Sequence, residues 1–407
     1  MASISARSGM HRVLDELAAR LPGVRVTSYD GLSSGPADAR TTLIIASPAA
    51  FAQLLRAPRG LGLARAWVAG TIRVDGDLHS ILRHEDALRD PSMYAVIALA
   101  LPQVVSKLRY QDFSLTGPTD AEYRSRRPGR HSVSSDLSEI DFHYGRELEF
   151  FRHVLGPSLT YSCALFSSAG ESLEAAQENK HRTICTKLNL GPSSVVLDVG
   201  CGWGTFLRHA VGNYHCRGIG ITASQAQYLA LREPQDPGCT GKIEIRYGDY
   251  RQLLPIPGVT AAASVGVYEH IGKGNSRRFF GLVRSCLQPG SLYLNQSIVR
   301  REGDRTKFRR NGFAQKYIFP NAELLPLARQ ISDLERSGFR IMSAELYGPS
   351  YVKTLQCWID NLVGNWDKCV QIEGEGRVRG WLMYLTGSLT RFERRSIDVV
   401  QVLAEAR

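Results

Sequence analysis

The run Asp198-Val199-Gly200-Cys201-Gly202-Trp203-Gly204-Thr205 is the stretch of this chain best suited to holding a ligand. Glycines at alternate positions let a backbone turn sharply and lie close against a small molecule. The preceding Val195-Val196-Leu197 reads as a short buried strand, and a helix opens after the loop. A glycine-rich strand-to-helix loop is the ligand position of doubly wound sheets, at the carboxyl ends of the strands. The spacing is not G-x-G-x-x-G, and no Gly-Lys-Ser/Thr ends the loop, so neither the dinucleotide nor the phosphate-loop pattern fits. Asp198 at the strand end suits a ligand with a cationic amino-acid portion better than a pyrophosphate, which points to S-adenosylmethionine. Further on, Gly248-Asp249-Tyr250 closes a third strand. Its carboxylate can take an adenine amino group, and its ring can stack on the base. Taken alone, each motif is also compatible with an ordinary turn.

The elements that must position these residues alternate in type. Val195–Val199, Arg217–Ile221, Ala261–Val265 and Ser291–Leu294 read as strands, with helical stretches between them. That order predicts an α/β fold: a Rossmann-like doubly wound, mostly parallel sheet with helices on both faces. A smaller α+β domain is expected before it. There Thr41–Ile45 reads as a strand, Ser47 and Pro48 open a helix, and Asp75-Gly76 marks a tight turn. The expected division is an N-terminal accessory domain over 1–110, a basic linker over 111–140 and the ligand-binding domain over 141–407.

Apolar residues make up 43% of the 407, enough to bury a sizeable core, and the net charge is +11. Such a basic surface favours an anionic partner, nucleic acid or acidic lipid. No nucleic-acid module accompanies it, which argues against nucleic acid, but composition alone does not choose between the two. Two cationic clusters stand out: Arg124, Arg126, Arg127 and Arg130, then Arg300, Arg301, Arg305, Lys307, Arg309 and Arg310. The eight cysteines show no C-x-x-C pair and no metal-ligand spacing, so they read as reduced thiols in a cytosolic protein, with no metal. The longest apolar run, Met93–Val105, is too short to span a bilayer and contains Pro102. If it meets a membrane, it would lie on it rather than cross it.

Several ordered motifs resemble one family, the cyclopropane-fatty-acyl-phospholipid synthases and the related mycolic acid methyltransferases. Gly62–Gly70, ending in Asp75-Gly76-Asp77-Leu78, is similar to the N-terminal domain of the full-length synthases. His143-Tyr144 before Phe150-Phe151 resembles their substrate-side helix, with altered polar residues between. Leu159–Phe166 is close to the most specific signature, and it places Tyr161 and Ser162 at the cofactor. Gly220–Ser224 with Gln227 matches the segment that contacts the cofactor ribose, through Thr222 and Ser224. Ser264–Gly272 matches the glutamate motif. Lys316–Asn321 and Tyr351–Leu355 complete the set.

The resemblance implies methyl transfer from S-adenosylmethionine to a double bond of an unsaturated fatty acyl chain, in a phospholipid or on an acyl-carrier protein. It implies a bound bicarbonate as the base, held around Cys163, Glu269, Ile298 and Tyr351. The position usually filled by histidine is Gln296, which can donate a hydrogen bond to an anion but cannot carry a proton. The product is therefore a cyclopropane or a methylene chain, and the latter would need a partner reductase to become methyl-branched. The resemblance further implies a peripheral protein on the anionic inner face of the membrane, and it allows a homodimer. Two other readings stand beside it: a small-molecule N-methyltransferase, against which the Thr160–Phe166 signature argues, and a catalytically silent lipid-binding relative, suggested by Gln296.

Overall fold

The computed structural model describes residues 9–57, 60–88, 90–93, 95–98, 119–123, 131–232, 242–252, 256–303 and 312–407. Arg124 to Arg130 and Arg305 to Arg310 lie outside these, so of the two basic clusters only Arg300 and Arg301 are described. The chain divides into two compact units. One comprises Met1–Arg124, Asn311–Ile318 and Glu373–Thr390; the other comprises Ser125–Arg310, Phe319–Ile372 and Arg391–Arg407. Two short returns from the C-terminal part of the sequence thus belong to the first unit. The helix Val133–Tyr144 also begins inside the stretch expected as linker, with the Ser132 hydroxyl accepting the Ser135 N–H at its start. Its serine and acidic residues hid the helical period from the sequence.

The first unit holds a four-stranded sheet of β1 (Val24–Ser28), β2 (Ser33–Ser34), β3 (Thr41–Ile45) and β4 (Ile72–Asp75), in the order β2-β1-β3-β4. Alternate residues of β1 and β3 are buried, as a sheet with one covered face requires. Val24, Val26, Leu43 and Ile45 pack with Met10, Leu14 and Phe51 from flanking helices. The helix after β3 starts at Ala49, whose N–H is accepted by Ser47 Oγ. Met93 and Ile97 of the long apolar run join this core, so that part of the run is internal rather than presented to a membrane. Trp67 donates its indole N–H to the Arg379 carbonyl at 2.7 Å.

The second unit carries the expected α/β fold. Its seven strands are β5 (Val195–Val199), β6 (Arg217–Thr222), β7 (Ile243–Tyr247), β8 (Val259–Val265), β9 (Leu287–Arg300), β10 (Phe339–Leu346) and β11 (Ile397–Ala406). The sheet order is β10-β11-β9-β8-β5-β6-β7. Strands β7, β6, β5, β8 and β9 run parallel, while β11 is antiparallel to both β9 and β10. The order reverses at β5, and a ligand crevice is expected outside the carboxyl ends there. The strands predicted from sequence fall where the apolar runs are. The antiparallel β10 is half exposed, so its sequence does not carry the apolar run of a buried parallel strand, whereas β11 is largely buried.

Candidate active site

A cavity of about 190 Å³ opens at the strand ends around β5. Asp198 to Trp203, Ile221 to Ser224, Gly248 to Tyr250 and Val265 to Val267 line it, each run following the end of a strand. Tyr161, Ser162, Lys180 and Gln227 also face it. Of the predicted cofactor residues, Tyr161, Ser162, Asp198, Gly200, Gly202, Thr222, Ser224, Gln227, Asp249 and Tyr250 are all on its wall, and Gly204 is not.

The three loop glycines do different things. All have positive φ, a conformation that side chains disfavour. A Cβ on Gly200 would sit 2.3 Å from Val267 Cγ2, so that glycine admits the neighbouring loop. A Cβ on Gly202 would meet nothing within 4 Å, so that glycine leaves open space at the cavity. Gly204 caps the helix Thr205–Tyr214, and its Cβ would strike Leu231 Cδ2 at 2.6 Å. Gly204 therefore serves helix packing.

The polar groups suit S-adenosylmethionine. Asp198 is buried, and its Oδ1 has no hydrogen-bond partner. An orphaned carboxylate oxygen in a cavity calls for a donor, which an ammonium group supplies. Burial pushes Asp198 up and Lys180 down, both to about 7, so each is poised near neutrality. Lys180 Nζ donates to Ser162 Oγ at 2.7 Å, and Gln177 Nε2 donates to the Ser162 carbonyl at 3.0 Å. Thr222 Oγ1 donates to Gln227 Oε1 at 2.7 Å and accepts the Ser224 N–H at 3.1 Å. Gln227 thus keeps its amide N–H groups for a ligand. Asp249 is bound by its neighbour: Arg251 Nε reaches Oδ1 at 2.6 Å, and Arg251 also pairs with Asp136. Any adenine amino group must share that carboxylate with a guanidinium. The buried Tyr250 hydroxyl has no partner.

Aromatic rings wall the remainder. His143 lies 3.9 Å from Phe319 and 5.5 Å from Tyr161, centroid to centroid, and Trp203 lies 4.6 Å from Phe151. Burial holds His270, also on the wall, down to about 4, so it is neutral at ordinary pH. Ring faces attract cations, and both a sulfonium and a carbocation are cations.

The predicted catalytic residues lie beside this cavity rather than on its wall, and they fall into two groups. Glu269 Oε1 accepts the Ile298 N–H at 2.6 Å. Its Oε2 is buried with no partner, and burial pushes the carboxyl up to about 7. Separately, the Tyr347 carbonyl accepts both the Tyr351 N–H at 3.2 Å and the Cys163 thiol at 3.9 Å. Burial raises the Cys163 thiol, which keeps it protonated. Gln296 is tied to the second group indirectly. Its Oε1 accepts from Gln401 Nε2 at 3.0 Å, and Gln401 Oε1 accepts from Lys187 Nζ at 2.9 Å. Lys187 also reaches Tyr347 Oη at 3.1 Å. Glu269 and Cys163 share no partner in these contacts. Lys180, Lys187 and Gln401 were missed in the sequence. The available signals were Lys180 three residues after Gln177, on one helix face, and a lone Gln inside the apolar Val399–Leu403.

The seven-stranded order, the reversal at β5 and a loop shaped for a cationic amino-acid ligand define an S-adenosylmethionine-dependent methyltransferase of the Rossmann-like class. This chain belongs to the mycolic acid cyclopropane synthetase family, which matches residues 131–402. It is 35% identical to a probable fatty acid methyltransferase of Mycobacterium tuberculosis over 94% of this chain and 90% of the relative. It is 32% identical to the cyclopropane-fatty-acyl-phospholipid synthase of Escherichia coli K12 over 64% of this chain and 66% of that one. Among solved structures, a mycolic acid cyclopropane synthase bound to S-adenosylhomocysteine and CTAB superposes with a TM-score of 0.62. The identity is 27%, covering 66% of this chain and 98% of the other.

Proposed function

We propose that this enzyme methylates a carbon–carbon double bond in the acyl chain of a phospholipid and that a bicarbonate ion, held beside Glu269, takes the proton that the reaction releases. S-adenosylmethionine, when bound, supplies an electrophilic methyl group and leaves the alkene as a carbocation. The observation that carries the reading is Glu269: a buried carboxyl with one oxygen on the Ile298 N–H and the other unbonded, next to a wall of aromatic rings. A half-protonated carboxyl can hold an oxyanion by hydrogen bond while remaining a poor nucleophile. The rings stabilise positive charge without attacking it. Bound substrate must keep out water, which would trap the cation.

Gln296 donates to an anion without accepting its proton. Loss of a proton from the added methyl closes a cyclopropane; a hydride shift followed by a different proton loss leaves a methylene, for a reductase to saturate. Lipids from cells expressing the enzyme decide between these by mass analysis. One added CH2 with loss of the alkene marks cyclopropane, and the same gain with unsaturation retained marks methylene. Unaltered lipids from cells whose purified enzyme still binds S-adenosylmethionine by titration would overturn the lipid assignment.

No helix among the described residues is long and apolar enough to cross a membrane. The charge of +11 supports docking on an anionic surface instead, each basic residue near it contributing about 1 kcal/mol. Phosphatidylglycerol vesicles should sediment the enzyme at low ionic strength and release it as salt rises. Equal binding to phosphatidylcholine vesicles would remove this electrostatic account.

A further inference from the structure

We propose that Gln401, anchored by Lys187, is a positioning residue that locks the side-chain amide of Gln296 with its N–H groups toward the proton-accepting anion. The inference rests on the reading that Gln296 faces that anion.

Gln296 on β9 and Gln401 on β11 are cross-strand partners in register, both at most 3% exposed. An isolated glutamine pair has two equivalent arrangements, because each amide can rotate by half a turn and exchange its oxygen for its nitrogen. A lysine removes that freedom, since an ammonium only donates. Lys187 Nζ lies 2.9 Å from Gln401, so Gln401 must turn Oε1 toward it. Gln401 Nε2 then faces Gln296, which must answer with Oε1, as the 3.0 Å contact has it. The two N–H bonds of Gln296 are the end left over. The polarity of the chain is set by one cation at its far end.

That cation is itself fixed. Lys187 pairs with Glu345 at 2.8 Å and lies 5.3 Å from the Tyr347 ring centroid, while its hydrogen bond to Tyr347 Oη joins the segment that carries Tyr351. The Lys187 partnership in turn holds the Glu345 carboxyl below its ordinary range. Where a histidine would offer the anion a ring nitrogen of either role, this arrangement offers donors alone. An anion bound there keeps its basic oxygen for the substrate, and Gln296 cannot compete for the proton.

Gln401→Glu inverts the device at nearly constant volume. Its carboxylate still pairs with Lys187 but only accepts, so Gln296 must turn Nε2 toward it and present Oε1 to the anion. The test is bicarbonate-dependent thermal stabilisation of the full chain bound to S-adenosylhomocysteine, at fixed ionic strength with chloride as the control. The unaltered enzyme should be stabilised by bicarbonate. Gln296→Met should weaken the apparent affinity roughly ten-fold, and Gln401→Glu at least as much, as losing a hydrogen bond to a charged group does. Gln296→His combined with Gln401→Glu should recover affinity, since an imidazolium held by a carboxylate donates on both sides. Affinity for S-adenosylhomocysteine should stay within two-fold or so throughout. If Gln401→Glu is unstable, Lys187→Met frees the same chain from its other end and should also weaken bicarbonate. Bicarbonate stabilisation lowered by Gln296→Met but untouched by Gln401→Glu and Lys187→Met overturns the relay alone. No bicarbonate effect on the unaltered enzyme overturns the anion reading and the relay with it.

Discussion

The cofactor cradle and the pocket around Glu269 lie at the ends of one sheet, yet they are held by different kinds of contact. Within the loops of the cradle, bonds are short-range: Thr222 with Gln227, Ser224 with Thr222 and Arg251 with Asp249, each within five residues, while Lys180 with Ser162 and Arg251 with Asp136 tie those loops to more distant segments. Among the predicted catalytic residues they are long-range: Glu269 with Ile298 across 29 residues, Gln296 with Gln401 across 105 and Cys163 with Tyr347 across 184. A local site is built as soon as its loops form. A long-range site exists only once β9 and β11 have paired and the helix Gly348–Gly364 has docked. Binding and turnover should therefore be separable by mutation.

The sharpest separation is expected at Glu269. Glu269→Gln keeps the acceptor for Ile298 but replaces a titrating oxygen with an amide that cannot exchange a proton. Turnover of S-adenosylmethionine with unsaturated phospholipid vesicles should fall about 10²-fold or more, the usual loss on removing an acid–base partner. The dissociation constant for S-adenosylmethionine, by titration calorimetry, should change little. An equal fall in both would mean that the two regions are one.

The converse case lies in the loop. Gly202→Val should weaken S-adenosylmethionine binding roughly ten-fold or more, because its side chain enters the open space at the cavity, with some strain from the positive φ. Gly200→Val should lose binding and thermal stability together, since its Cβ meets Val267. If Gly202→Val binds normally, the ligand lies elsewhere.

The same contrast explains what could be read from the sequence. Strands β5, β6, β8 and β9 and the glycine loop are written in contiguous residues, so periodicity and turn chemistry reveal them. Glu269, Ile298 and Gln296 entered only through resemblance to a family, because nothing in a single chain says that residue 269 will meet residue 298. Gln401 escaped altogether. A polar residue in an apolar strand signals a buried hydrogen bond, but not its partner. Gly204 shows the opposite case: it shares the pattern of Gly200 and Gly202, yet its neighbours Trp203 and Thr205 line the cavity while a Cβ at Gly204 would meet Leu231.

The smallest effect should appear in stability against pH. Burial lifts the Glu269 carboxyl from 4.5 to about 7. Between those values the unfolded chain has released the proton while the folded chain retains it. Stability is therefore full below about 4.5 and is lost as pH rises through about 7. Asp198, also raised to about 7, adds a loss of the same sign. Lys180, lowered to about 7, changes stability only above that value, where the unfolded chain still binds the extra proton. Glu269→Gln removes one of the two acidic contributions. Its melting temperature should fall less than that of the unaltered enzyme between pH 4.5 and 7, by about a few degrees. Above pH 7 the two curves should run parallel, because neither Asp198 nor Lys180 is altered. A curve for Glu269→Gln that tracks the unaltered enzyme across the whole window would mean that Glu269 is already ionised in the folded state. The unbonded Oε2 would then have to be solvated, and Glu269 could not be the dry carboxyl that holds the anion.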